Sequence, residues 1–404
     1  MNNDNQVLNV TDDVKWIGVL DEELETFDVV METEYGTTYN SYFIDAEKKA
    51  IVETSKEKFW DIYKEKILQV TNPEEIEYII LNHTEPDHSG NLKNLKELAP
   101  NAKVVASPNA IRYLKDLFKD SDFEYVPVKD GHTLDLGNKT VRFISAPNLH
   151  WPDTMYSYLE EDKVLFTCDS FGAHYCDEKM FDDLVDEEKY DDAFRYYFNV
   201  ILKPFGKFML KAIDKIKDLE IDAIATGHGP ILRSNWQKYV ELSRKWSEEF
   251  LEYPQKHRVF IPYVSAYDKT ALLAAKIAEG IRTAGEVEAN PMDIELVSLG
   301  DLESEITKAN GIIVGSPTIN QNILLPIYKL FGVLTPLRDM KKLSGGFGSY
   351  GWSGEGASLI KNGLTSLKMK YFKEGVFVKF TPDNQELDKA FQYGKEFGEE
   401  LLKN

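Results

Sequence analysis

Four residues able to bind a cation fall within six positions in His83-Thr84-Glu85-Pro86-Asp87-His88. The run follows directly on an apolar segment, Ile76–Leu81, whose composition predicts a buried strand. Three further candidates share that placement: His150 after Val141–Ala146, Asp169 after Val164–Phe166, and His228 after Ile221–Ala225. Imidazole and carboxylate groups are common ligands of transition metals. Loops at the ends of strands are where a rigid sheet holds such groups in register. One histidine or aspartate after a strand is ordinarily a satisfied polar group, and Asp87 and His88 taken alone read as helix caps. Four loops converging in this way suit a metal site.

A second kind of chemistry is written near the C-terminus. The segment IPYVSAYDKTALLAAKIAEG reads as strand, short polar loop and helix. Its loop, Ser265-Ala266-Tyr267-Asp268-Lys269-Thr270, sets hydroxyls and backbone N–H groups at a helix N-terminus, where a phosphate is favoured. The loop lacks the G-x-G-x-x-G pattern of dinucleotide sites, so a mononucleotide is the more natural ligand. Two more loops follow apolar strands: Gly315-Ser316-Pro317-Thr318-Ile319-Asn320, and Gly348-Ser349-Tyr350-Gly351-Trp352-Ser353-Gly354. Glycines there let backbone approach a flavin closely, and Trp352 can cover part of its ring. Both loops resemble those flanking the isoalloxazine ring in flavodoxins, and FMN is the expected cofactor.

The elements that must carry these loops divide into two sets. A chain of 404 residues is longer than one core usually grows. The boundary is expected near Glu252–Lys256, where an amphipathic helix beginning near Asn235 meets a proline and then the apolar run Val259–Val264. Residues 1–252 then form a mixed α/β domain, with strands including Ser41–Ile44 and Lys103–Ala106 and helices including Lys56–Gln69 and Ala110–Lys119. In residues 253–404 strands at Val259–Val264, Ile294–Ser298, Gly311–Gly315, Gly345–Ser349 and Gly375–Phe380 alternate with helices. That alternation predicts a doubly wound parallel sheet.

Bulk composition narrows the function. A net charge of -21 repels phosphate backbones and argues against a nucleic-acid partner. Two cysteines, Cys168 and Cys176, rule out a disulfide framework and suit a reducing cytoplasm. They are also too few for a rubredoxin or iron–sulfur module within these residues. No apolar run is long enough to span a membrane, and no secretory leader is expected at the N-terminus.

The pattern H-x-E-x-D-H, then His150, Asp169 and His228, together with the strings NHTEPDHSG, LHWPDTM and TGHG, resembles the flavodiiron proteins. The resemblance spans nearly the whole chain. It implies a metallo-β-lactamase-like αββα sandwich followed by a flavodoxin-like domain, with two iron ions and FMN as cofactors. Carried over residue by residue, His83, Glu85 and His150 would hold one iron. Asp87, His88 and His228 would hold the other, and Asp169 would bridge them. In some members the histidine matching His88 turns away and a water replaces it, so its coordination stays open. Hydrolases of the superfamily carry histidine where Glu85 stands; the extra carboxylate favours iron over zinc. His174 resembles a histidine lining the family's substrate pocket, and Tyr196 or Tyr197 its tyrosine near the metals, although a core stripe also accounts for FRYYF.

The implied activity is reduction of dioxygen to water or of nitric oxide to nitrous oxide, in an anaerobic or microaerobic cell. Dioxygen is preferred, because His174, Tyr196 and Tyr197 can supply protons and hydrogen bonds. An external donor is implied, either rubredoxin or a reduced deazaflavin coenzyme. So is a head-to-tail homodimer, or a tetramer built on it, that brings the flavin of one chain to the metals of the other. Two rival classes remain: a di-zinc hydrolase with an accessory flavodoxin domain, and an electron carrier without metal.

Overall fold

The computed structural model describes residues 5–28, 31–252 and 257–403. The chain divides into two compact units with the break between Leu251 and Glu252. Residues 253–256 of the expected boundary lie outside the described residues.

The first unit is a sandwich of two sheets. One has seven strands in the order Leu8–Asn9, Val14–Trp16, Tyr42–Ile44, Lys49–Val52, Ile76–Leu81, Lys103–Ala106 and Tyr125–Pro127. The other has five: Thr133–Asp135, Thr140–Ser145, Met155–Leu159, Val164–Cys168 and Ala223–Thr226. Their central strands are mostly buried on two faces and read as largely apolar runs. Strand alternation sorts the side chains. Tyr42, Ile44, Val52, Ile80, Phe143 and Phe166 fill the space between the sheets. Their neighbours Phe43, Ile51, Ile79 and Leu81 turn outward, onto Tyr63, Ile67, Leu92, Leu95 and Leu114 of the helices covering the first sheet. Ile144, Leu165 and Ile224 pack likewise against Tyr190, Phe194, Met209, Ile213 and Tyr239 on the second. The result is the expected αββα arrangement.

The second unit has a parallel sheet. Numbered in chain order, its main strands are His257–Tyr263, Val287–Asp293, Gly311–Gly315, Leu343–Tyr350 and Val376–Lys379, and they lie in the order 2-1-3-4-5. That is the flavodoxin-like winding, with a switch point between strands 1 and 3. One expected strand is corrected. Ile294–Ser298 is not a strand; it leads into the helix Leu299–Lys308, and the strand is the preceding Val287–Asp293. Its sequence, VEANPMD, is polar and carries a proline because it lies at the sheet edge and pairs on one side only. Met155–Leu159, the central strand of the second sheet, was not among the expected strands. Among the described residues no helix is long and apolar enough to cross a membrane.

Phe166 lies between the sheets of the first unit with its ring 5.3 Å from that of Tyr42. Phe166→Ala should cost about 3–5 kcal/mol in urea unfolding. A loss below about 1 kcal/mol would contradict this account of the core.

Candidate metal centre and flavin site

The strand Ile76–Leu81 delivers His83 and Glu85 to one end of the sandwich, and the short helix Pro86–Ser89 turns Asp87 and His88 back into the same space. His150, Asp169 and His228 arrive from loops that follow strands of the second sheet. The structure brings all seven together. Glu85 Oε2 lies 3.3 Å from His83 Nε2 and 2.9 Å from His150 Nε2. Asp87 Oδ2 lies 3.1 Å from His228 Nε2 and 3.6 Å from His88 Nε2. Asp169 stands between the two groups. Its Oδ2 is 3.6 Å from His83 Nε2 and 3.8 Å from His150 Nε2, while its Oδ1 is 3.1 Å from His88 Nε2 and 3.5 Å from His228 Nε2.

Atoms bound about 2.1 Å from one cation sit roughly 3–3.5 Å apart, so each group has the spacing of a ligand set. Asp87 Oδ1 is buried without a hydrogen bond, an arrangement that a cation would relieve. The field points the same way. Burial opposes charge on His88, yet Asp87 and Asp169 drive its pKa up to about 10. Burial would raise the Asp169 carboxyl, but the charge and hydrogen bond of His88 hold it well below the usual range. Carboxylates that draw protons onto their imidazoles will draw a divalent cation in their place.

The outer nitrogens of two histidines are engaged by groups that sequence reasoning did not single out. His83 Nδ1 lies 3.2 Å from Asp153 Oδ2, which also accepts from the N–H and hydroxyl of Thr84, each at 2.8 Å. His228 Nδ1 donates to the Thr38 carbonyl at 2.7 Å. Such partners fix ring orientation and tautomer. Asp153 stood within the string LHWPDTM, three residues after His150, and that proximity was its only signal.

Around the cluster, Tyr197 donates to Asp169 Oδ1 at 3.2 Å, from the last turn of the helix Glu187–Tyr197 before a π-turn at Phe198–Leu202. His174 stacks on Phe27 at 4.4 Å, meets Tyr197 edge-on at 4.9 Å and lies 5.0 Å from His228, ring to ring. Its Nδ1 is 2.8 Å from Thr37 Oγ1. Burial and the neighbouring His228 hold His174 well below the usual histidine range, so it is neutral. Tyr196 lines a cavity of about 260 Å³ that His174 also borders.

In the second unit, the three sequence-predicted loops all follow C-terminal strand ends, two of them beside the switch point. Ser265 Oγ accepts from the Ala271 N–H at 3.2 Å, and Thr270 Oγ1 lies 3.3 Å from Ser349 Oγ. The Thr318 N–H donates to the Ser349 carbonyl at 2.8 Å, tying the second loop to the third. Gly348 permits their approach, since a Cβ there would lie 2.0 Å from the Ser316 carbonyl oxygen. Ala266, Pro317, Ile319, Asn320, Gly351, Ser353 and Gly354 sit on the same loops, with Lys269 at the start of the helix Lys269–Arg282 and Tyr350 at the end of the strand Leu343–Tyr350. Tyr267 and Trp352 are 79% and 81% exposed, large aromatic surfaces suited to a planar ligand. Hydroxyls at a helix N-terminus with aromatic rings on adjoining loops fit a flavin mononucleotide.

A lactamase-type sandwich carrying this cluster, joined to a 2-1-3-4-5 flavodoxin sheet, defines a metal- and flavin-binding redox protein. A family model described as ODP family beta lactamase matches residues 37–229, and one described as Flavodoxin matches residues 261–394. The chain belongs to the flavodiiron proteins. It is 38% identical over 405 residues to the Flavo-diiron protein FprA2 of Clostridium acetobutylicum, covering 98% of this chain and 99% of that one. It is 33% identical to a Nitric oxide reductase of Moorella thermoacetica, over 96% and 98% of the two chains. The solved rubredoxin oxygen:oxidoreductase of Desulfovibrio gigas superposes with a TM-score of 0.77 at 29% identity, covering 98% of this chain and 99% of that one. Membership of this family implies FMN and a non-haem di-iron centre as the cofactors.

Two predictions follow from these sites. Asp153→Asn should weaken binding of one ferrous ion about 10- to 100-fold, read by chelator competition; unchanged affinity would remove Asp153 from the support of His83. Asp268 adopts a left-handed φ of 59° beside the phosphate loop, and its side chain caps nothing. Asp268→Gly should relieve both strain and charge repulsion and tighten FMN binding about 3- to 10-fold by fluorescence titration. Weaker binding would mean that the carboxylate helps the loop.

Proposed function

We propose that this chain reduces dioxygen to water, with nitric oxide as a second substrate, at a di-iron site that His83, Glu85, His150, Asp87, His88, His228 and Asp169 would hold. The observation that carries the reading is Asp169, whose two oxygens face two separate sets of imidazole and carboxylate groups. A ferrous pair supplies two electrons and reduced FMN two more. Three carboxylates, Glu85 among them, make a hard donor set that favours iron over zinc and leaves the hydrolase reading without support.

The chain's own residues then have distinct tasks. Tyr197 holds Asp169 by donating to Oδ1, and burial keeps its phenol protonated. His174, neutral and anchored by Thr37, lies one ring away and is placed to pass a proton inward. Glu32, Glu34 and Asp192 line the cavity shared by His174 and Tyr196. Glu85 and His150 have the most exposed side chains of the seven, 11% and 21%, so substrate enters on their side.

Residues 1–252 and 253–404 act as the metal and flavin domains. The flavin domain carries Tyr267, Leu296, Trp352 and Phe380 exposed on loops after its strands, and Leu325 exposed at the start of the helix Leu325–Val333. That apolar rim supports a head-to-tail dimer in which the flavin of one copy serves the metals of the other. Electrons come from an external donor, rubredoxin or a reduced deazaflavin coenzyme, and the protein works in the cytoplasm.

Protein purified without oxygen should contain two irons and one FMN per chain. Mixing its reduced form with dioxygen should reoxidise the flavin rapidly with little peroxide, and parallel mixing with nitric oxide ranks the substrates. Zinc in place of iron, or peroxide formed at the rate of a free flavin, would overturn the proposal.

A further inference from the structure

His83 and His228 each have a dedicated partner on the outer nitrogen. For His88 the corresponding space is built differently. Its Nε2 faces Asp169 and Asp87, and its Nδ1 points away from the cluster, 3.6 Å from Cys168 Sγ. A Glu53 carboxylate oxygen, a ring nitrogen of His88 and the Cys168 sulfur lie within 4.8 Å of one another, all buried. Glu53 is 2% exposed. Its Oε1 accepts from the Asn82 N–H at 2.7 Å, while its Oε2 is buried with no hydrogen bond. A buried carboxylate oxygen is costly unless a donor reaches it.

The backbone behind the ring is unusual on both sides. Glu53 has a φ of 59° and Cys168 a φ of 52°, left-handed values that a non-glycine residue adopts only when its surroundings demand it. Thr54, the residue after Glu53, donates to the His88 carbonyl from its N–H at 2.7 Å and from its hydroxyl at 2.6 Å. Gly227 supplies the remaining wall, since a Cβ there would lie 2.7 Å from His88 Cε1. One short segment therefore grips the main chain of His88 and sets a carboxylate on the far side of its ring.

We propose that Glu53 is the positioning residue for His88: its buried carboxylate, within 4.8 Å of the ring and beside the Cys168 thiol that Nδ1 faces, favours the proton on that outer nitrogen and keeps Nε2 in the metal site, so this chain retains His88 as an iron ligand. The inference rests on the di-iron reading above. Turning the ring outward would take the outer nitrogen away from the Glu53 carboxylate and the Cys168 sulfur. Glu53 touches neither substrate nor metal and acts only through His88.

The test uses the full chain, prepared without metal and titrated with ferrous iron against a chelator. Glu53→Gln should weaken one of the two irons about 10- to 100-fold and leave the other and FMN binding unchanged. The Mössbauer spectrum of the loaded protein should change at one iron only. In a His88→Ala background, Glu53→Gln should cause no further loss. Two irons bound with parental affinity and spectrum in Glu53→Gln, or a full additional loss on top of His88→Ala, would overturn the assignment. A second measurement needs no change at Glu53. In the diamagnetic zinc-loaded protein, nitrogen-resolved NMR should show a downfield, slowly exchanging Nδ1 proton that disappears in His88→Ala. A proton on Nε2 instead would overturn the inference even if Glu53→Gln failed to fold. Parent protein that binds no iron pair would refute the di-iron reading itself, an outcome distinct from an iron pair insensitive to Glu53.

Discussion

Burying carboxylates close together is the constraint around which the first unit is organised. Glu85, Asp87 and Asp169 sit at one end of a sandwich whose interior is otherwise aromatic and aliphatic. Left to themselves they would repel and would each lose several kcal/mol of hydration. Four imidazoles interleave with them, and each imidazole is turned so that a single nitrogen faces the carboxylates. Rings in that orientation neutralise little unless they are protonated or share a cation. The surrounding fold therefore invests in orientation. Asp153, the Thr38 carbonyl and the Glu53–Cys168 pair are spent on aiming rings, and Tyr197 on holding the shared carboxylate.

That investment explains which parts of the site could be read from the chain and which could not. The clustered residues were legible because they are local: four within six residues, the others each placed just after an apolar strand. Strand ends are forced to one edge by the sheet, so a sequence pattern translates into a place in space. The residues that aim the rings carry no such pattern. Thr38 acts through its carbonyl, which any residue would offer, and Glu53 ends a strand like many other polar residues. Their roles arise from contacts between segments far apart in the chain, as between Glu53 and His88 or Thr38 and His228. Tyr196 and Tyr197 show the limit of resolution: adjacent on one helix, they could not be told apart until helix phase turned one toward Asp169 and the other toward a cavity.

The same reasoning accounts for the misread strand. Continuous apolar runs marked the buried strands of both units because those strands are covered on two faces. The edge strand Val287–Asp293 is half-exposed, pairs on one side and tolerates Pro291, so its period is weak. The more apolar Ile294–Ser298 beside it drew the assignment although it only leads into a helix. Edge strands need little hydrophobic signal, since the ladder to their single neighbour supplies the pairing that the pattern does not advertise.

The flavin loops add a different lesson about charge. A chain with a net charge of -21 must still bind a phosphorylated cofactor, and the loops proposed for it offer oriented dipoles and hydroxyls more than cations. Ser265, Thr270 and Ser349 converge where the helix Lys269–Arg282 begins, and only Lys269 offers positive charge within that loop. Preorganised N–H groups favour a phosphate without the long-range attraction that would also recruit other polyanions. The metal site solves the opposite problem with the same economy of charge. Its carboxylates are matched closely by imidazoles, so its affinity is confined to ions that reach the interior. Selectivity at both sites therefore comes from short-range geometry within an acidic chain, and the residues that orient donor and acceptor atoms are as much a part of each site as the atoms that bind.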